Sequence, residues 1–144
     1  MLLRHGTTRK RAEELVVHGP LNFLGPVGQT IQGLGHEQGF FAAPVKQADD
    51  AGAAGTPSWY ALEHHRYCLK YGLDHGGPVV LEIEVPDELI GEVGRDEAGK
   101  ANNREDEIWF GSDAGLDYGW NGLFAAWPLL KKTIIDVPLK SGAQ

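Results

Sequence analysis

The sequence predicts an α+β fold: one compact domain over residues 1–144, with a short-stranded β core, split or in two sheets, and two main helices. Three observations predict it. Short β-rich runs are interleaved with two segments of helical period. Several strand candidates fall late in the chain, without the regular alternation of a doubly wound sheet. A length of 144 residues leaves room for a single core and little else. The hydrophobic share of 42%, with all three aromatic residue types and interspersed charges, is that of a folded chain rather than a disordered one. The sequence contains no internal repeat and no low-complexity tract.

Each element has a local reason. The apolar start at Met1–Arg4 begins a strand, and Thr7 or Thr8 is placed to cap a helix through "RKRAEELVVHG", with Ala12, Leu15 and Val16 on one face. Gly19 and Pro20 stop that helix. From residue 20 to 35 glycine and proline recur without a period, which predicts a long surface loop with His36 in a turn, and His18 is expected in a turn as well. "GFFAAP" (39–44) reads as a strand closed by proline. A second helix starts at Thr56 or Ser58 with Pro57 in its first turn; Tyr60, His64, Tyr67, Cys68 and Tyr71 recur at helical spacing before Gly72. Next, "GPVVLEIEVPDELI" gives a strand whose Leu81, Ile83 and Val85 alternate with Glu82 and Glu84. Residues 91–104 read as an exposed loop, "EDEIWF" (105–110) and "TIIDVP" (133–138) as strands, and the stretch 111–130 as irregular, with Trp120, Phe124 and Trp127 packing rather than binding.

Charge and cysteine content exclude several function classes. A formal net charge of −7 disfavours general nucleic-acid binding, and Arg9, Lys10 and Arg11 would point in different directions on a helix. No apolar stretch approaches the ~20 residues of a bilayer span and no signal-peptide pattern is present, so a cytoplasmic location without membrane partners is expected. Cys68 is the single cysteine and reads as a small buried hydrophobe. Gly33, Gly35 and Gly39 lack the strand before and the helix after that a dinucleotide or phosphate loop needs. His64 and His65 are adjacent and diverge on a helix, so no metal is expected.

Two places retain chemical interest. "LRHGTT" puts His5 and Gly6 at a strand-to-helix junction, where backbone can approach a polar ligand closely. Glu105 and Glu107, two apart in a strand, share a face; paired carboxylates repel, one holds its proton longer, and their roles separate. A solvated strand edge carrying scattered charge explains the acidic pair equally well.

Read in order, "LRHGTT", "GFFAAP" and "EDEIWF" resemble the three-part signature of the ADP-ribosyltransferase fold, over roughly residues 2–137. The resemblance implies an NAD-consuming enzyme in which NAD is substrate and the acceptor is unknown. It implies that His5 bonds a ribose hydroxyl, Gly6 holds the nicotinamide amide through its backbone, Thr7 supports that turn, and Phe41, or alternatively Phe40, stacks on the nicotinamide ring. Phenylalanine there keeps the stacking surface of the tyrosine found in many relatives without its hydroxyl. Glu107 would be the catalytic carboxylate and Glu105 the residue that assists the acceptor. The residue types suit the chemistry, because cleavage of the nicotinamide–ribose bond leaves positive charge on the sugar for a fixed carboxylate to stabilise. The resemblance further implies that His5, Phe41 and Glu107 meet around one cleft, and the position of the 91–104 loop just before "EDEIWF" suits it to close over a ligand as a lid. Two other readings compete with it: a non-catalytic α+β module binding a nucleotide-like ligand or a protein, and an unrelated domain in which His5 and Glu107 are ordinary surface groups.

Overall fold

The computed structural model describes residues 1–20, 38–45, 54–90, 94–95, 108–113 and 116–139. Along the chain these form β1 (Leu2–Thr8), α1 (Arg9–His18), β2 (Gln38–Pro44), α2 (Pro57–Lys70), β3 (Pro78–Glu84), the single turn α3 (Asp87–Ile90), β4 (Gly94–Arg95), β5 (Ile108–Asp113), β6 (Leu116–Tyr118), α4 (Trp120–Ala126), a 3₁₀ turn (Trp127–Leu129) and β7 (Lys132–Asp136). The result is an α+β domain. Every strand pair is antiparallel, and the strand order is β4-β5-β2-β1-β3-β7, with β6 also pairing β5.

The sheet has one narrow joint. β1 pairs β3 along its whole length, from Leu2↔Glu84 to Thr8↔Pro78. Its described ladder with β2 on the other side comprises only Leu3↔Pro44 and Arg4↔Ala43, while β2 pairs β5 from Gln38↔Ser112 to Ala42↔Ile108. The split core expected from sequence is therefore one antiparallel sheet whose two ladders share β2, and β1 and β2 part just before His5.

Apolar side chains cover both faces. Leu3, Phe40, Ala42, Leu81, Ile83, Ile108 and Phe110 meet Leu15 of α1 and Trp120, Leu123 and Trp127 from the late helical segment. On the opposite face Ala61 of α2 lies against Val80 and Val137. The alternation of β3 shows why: Leu81 and Ile83 are fully buried whereas Glu84 is exposed, and Val80 is buried on the second face because α2 covers it.

The two main helices form where the sequence puts them, with different starts. Thr56 caps α2 through its side-chain oxygen, which accepts from the Trp59 amide at 3.4 Å, and Pro57 occupies the first turn. Thr8 precedes α1 without a side-chain cap bond; instead the Arg9 and Lys10 amides donate to the carbonyls of Gly77 (2.9 Å) and His75 (3.0 Å). The Gly19 amide donates to the Leu15 carbonyl at the end of α1, as the glycine stop predicts.

Several expectations need correction or limit. Within 111–130, expected to be irregular, lie the end of β5, β6, α4 and the 3₁₀ turn, because Asp117 Oδ1 accepts from the Trp120 and Asn121 amides at 2.8 and 3.4 Å and starts a helix. Trp120 and Trp127 are buried as expected, but Phe124 is 44% exposed. His18 closes α1 rather than sitting in a turn, whereas α2 ends at Lys70 with Tyr71 as its C-cap, before Gly72 as expected. The late strand, expected to end at 110, continues to Asp113, and its expected start at 105–107 lies outside the described residues. The loop readings for 21–35 and His36, and the lid reading for 91–104 apart from β4, fall outside the described residues.

Candidate functional site

The site begins where β1 leaves β2. Past Arg4 the strand keeps its ladder to β3, so alternate residues between His5 and Thr8 turn their amide and carbonyl toward the side that β2 no longer occupies. The period of two sends Leu3, His5 and Thr7 to the face of Leu81 and Ile83, and Gly6 to the face of α2.

His5 meets an aromatic ring there. It stacks on Phe40 with centroids 4.5 Å apart and an interplanar angle of 25°, and Phe40 in turn meets Trp127 edge-on at 5.6 Å. Phe40 is 2% exposed, so its ring is a wall behind His5. Of the two phenylalanines proposed for stacking, Phe40 contacts the histidine; the backbone of Phe41 pairs Trp109 of β5, and the Phe41 side chain lies outside the described residues. Thr7 is 3% exposed and pairs Val79, which suits a support for the turn and not a ligand contact.

Gly6 has a steric reason to be glycine. A Cβ built on it would lie 1.8 Å from the Pro57 carbonyl oxygen and 2.9 Å from the Ala61 nitrogen. The start of α2 therefore rests directly on the β1 backbone, which brings the helix face carrying Tyr60 and His64 beside the junction.

Sequence reasoning missed His64. Burial, with the neighbouring His5 and Arg11 adding positive charge, lowers its pKa to about 4, so the ring is neutral at neutral pH. Arg11 of α1 is itself pulled down by burial, opposed by Glu14, whose carboxylate lies 3.3 Å away. Three elements thus bring two imidazoles and a guanidinium to one locality. The available signal was the spacing of four that aligns Tyr60, His64 and Cys68 on one face of α2. Cys68 is buried with its thiol pKa raised by that burial, as expected of a packing residue.

Glu105 and Glu107 lie outside the described residues. What is described is the strand that follows them: β5 opens at Ile108, opposite Ala42 of β2, so the strands following or carrying "LRHGTT", "GFFAAP" and "EDEIWF" are neighbours in the order β1, β2, β5. Among the described residues no group of three or more His, Cys, Asp or Glu side chains is placed to hold a metal, and no helix is long and apolar enough to cross a membrane. Compared with known protein families, curated proteins and solved structures, the chain matches none of them.

Proposed function

We propose that this chain is an NAD-consuming enzyme of the ADP-ribosyltransferase-like type, which cleaves the nicotinamide–ribose bond and passes ADP-ribose to an acceptor or to water. The observation that carries the reading is the adjacency of the three signature strands, with His5 held against Phe40 where β1 and β2 part. Local sequence similarity alone gives no reason for strands so far apart in the chain to be neighbours.

The chemistry follows from the groups. The bond from ribose C1′ to the pyridinium nitrogen breaks, its electron pair leaves with nicotinamide, and positive charge develops on the ribose. Glu107 stabilises that charge; an acceptor hydroxyl or water then bonds to C1′, and its proton passes to Glu105 or to solvent. His5, braced by Phe40, bonds a ribose hydroxyl, and the Gly6 backbone receives the carboxamide. Phe41 supplies the stacking surface for the nicotinamide ring.

Nicotinamide release from NAD by the full chain tests the proposal. We expect turnover that falls at least about a hundredfold in Glu107→Gln, with His5→Ala raising KM. Absence of release at saturating NAD overturns the enzymatic reading. The alternative, a non-catalytic module that binds a nucleotide-like ligand or a protein partner, is favoured by the burial of Phe40, which closes one wall of the site against a planar ligand. That reading requires NAD to shift the Gly6 amide resonance without nicotinamide release, and Glu107→Gln to leave affinity unchanged.

A further inference from the structure

We propose that His65 and His75 form a two-histidine site for a divalent transition ion, Ni²⁺, Cu²⁺ or Zn²⁺, which fastens the loop between α2 and β3 onto α2. His65 Nδ1 and His75 Nε2 face each other at 2.7 Å, with ring centroids 4.8 Å apart. One residue comes from the middle of α2 and the other from the loop after it, so the convergence is made by the fold rather than by helical spacing.

The loop side of the pair is already prepared. His75 Nδ1 lies 2.9 Å from the Leu73 carbonyl oxygen. A carbonyl only accepts, so Nδ1 carries the proton and donates it, and the neutral ring presents a lone pair at Nε2. Metal-ligating histidines are oriented by this kind of second hydrogen bond. His65 in the metal-free state donates from Nδ1 to that lone pair. Moving its proton to Nε2 through solvent exposes a second lone pair that faces the first across the same 2.7 Å, with no net proton released.

The spacing is close to what a chelate requires. With metal–nitrogen bonds of about 2.0–2.1 Å, cis ligands of a tetragonal ion stand roughly 2.9 Å apart and those of a tetrahedral ion roughly 3.3 Å. Both rings turn about their side-chain bonds so that the lone pairs converge on the ion, the nitrogens separate by roughly 0.2–0.6 Å, and water fills the remaining positions. Both side chains are partly exposed, which gives the ion a path in. Cations flanking the pair are neutralised or turned to other work: Arg66 pairs with Glu63, Arg9, which packs on Gly76, pairs with Asp136, and Lys70 lies over the Tyr71 ring.

The clamp has a structural consequence. Gly76 and Gly77 take φ of +76° and +94°, which lets the loop fold back so that the His75 and Gly77 carbonyls accept from the first amides of α1. An ion on His75 therefore steadies the start of α1, immediately after the strand that carries His5.

Titrating the untagged full chain with Zn²⁺ or Ni²⁺ at pH 7.5 tests this, with calorimetry for affinity and imidazole nitrogen NMR in Zn²⁺ for the ligating atoms. We expect one ion per chain, shifts at His65 Nδ1 and His75 Nε2, and affinity at least about tenfold weaker in His65→Gln or His75→Gln. The proposal is overturned if the wild type binds no tighter than the double variant, or if metal moves neither nitrogen. The nitrogen readout uses the wild type and so stands even where a variant unfolds. Neither readout involves NAD, so failure here leaves the enzymatic reading untouched.

Discussion

At the scale of single residues, Gly6 and His64 are set by what surrounds them. Gly6 was visible in the sequence as an unhindered backbone position, yet the structure gives it a steric duty toward α2 that the sequence does not display. Gly6→Ala places a methyl group on the Pro57 carbonyl oxygen, and because that obstacle is backbone the helix must move. We expect a loss of at least about 2 kcal/mol in urea unfolding, at the upper end of overpacking costs. His64 makes a pH prediction. Its folded pKa of about 4 lies below the ordinary histidine value of 6.5, so the unfolded chain binds the proton first as pH falls. The contribution is intact above pH 6.5 and fades as pH drops toward 4, by on the order of 3 kcal/mol. The neighbouring His5 of β1 and Arg11 of α1 add to burial in opposing its protonation. Urea unfolding in EDTA between pH 7.5 and 4 should show a steeper loss in the wild type than in His64→Gln; parallel curves would contradict the assignment.

At the scale of elements, legibility followed the locality of the forces. The strand β3 was readable because its second half, with Leu81 and Ile83 buried and Glu82 and Glu84 on the less covered face, alternates within a few residues. The helix α2 was readable because Thr56, Pro57 and the aromatic spacing agree with one another. The seven-residue α4 was not, since it begins after Gly119 at φ +75° and its starting signal, Asp117, stands three residues before Trp120 across a turn. A short helix has little intrinsic stability and depends on its cap and on the burial of Trp120 and Leu123. Asp117→Ala should therefore cost about 1 kcal/mol, while Asp117→Asn, which keeps an acceptor oxygen, should cost only a few tenths. Thermal melts followed by tryptophan fluorescence separate the two. The start of α1 makes a useful contrast, because its first amides are satisfied by the loop at His75–Gly77 and not by Thr8. Thr8→Ser, which keeps the hydroxyl and removes a buried methyl group, should then cost about 1 kcal/mol through packing and not through capping.

At the scale of the whole molecule, the parting of β1 and β2 cannot be read from either strand alone, because pairing partners are chosen across tens of residues and only two rungs join this pair. It is also what gives the proposed site its backbone. β3 lies between β1 and β7 and holds Leu81 and Ile83 at full burial, so its amides should exchange with solvent most slowly. β1 carries the same β3 ladder, but past Arg4 alternate amides turn to the gap that β2 leaves; although Gly6 and Thr8 are buried, those amides have no β2 rung and should exchange faster than the paired ones. Ligand seated against His5 and Gly6 would cover that gap. Hydrogen exchange by NMR, with and without NAD, should show slowing confined to alternate amides between His5 and Thr8, while Ile134 and Ile135 in β7, two strands away, keep their rates. Uniform slowing over both strands would mean that NAD stabilises the fold from elsewhere, and unchanged rates at residues 5–8 would remove NAD from this site.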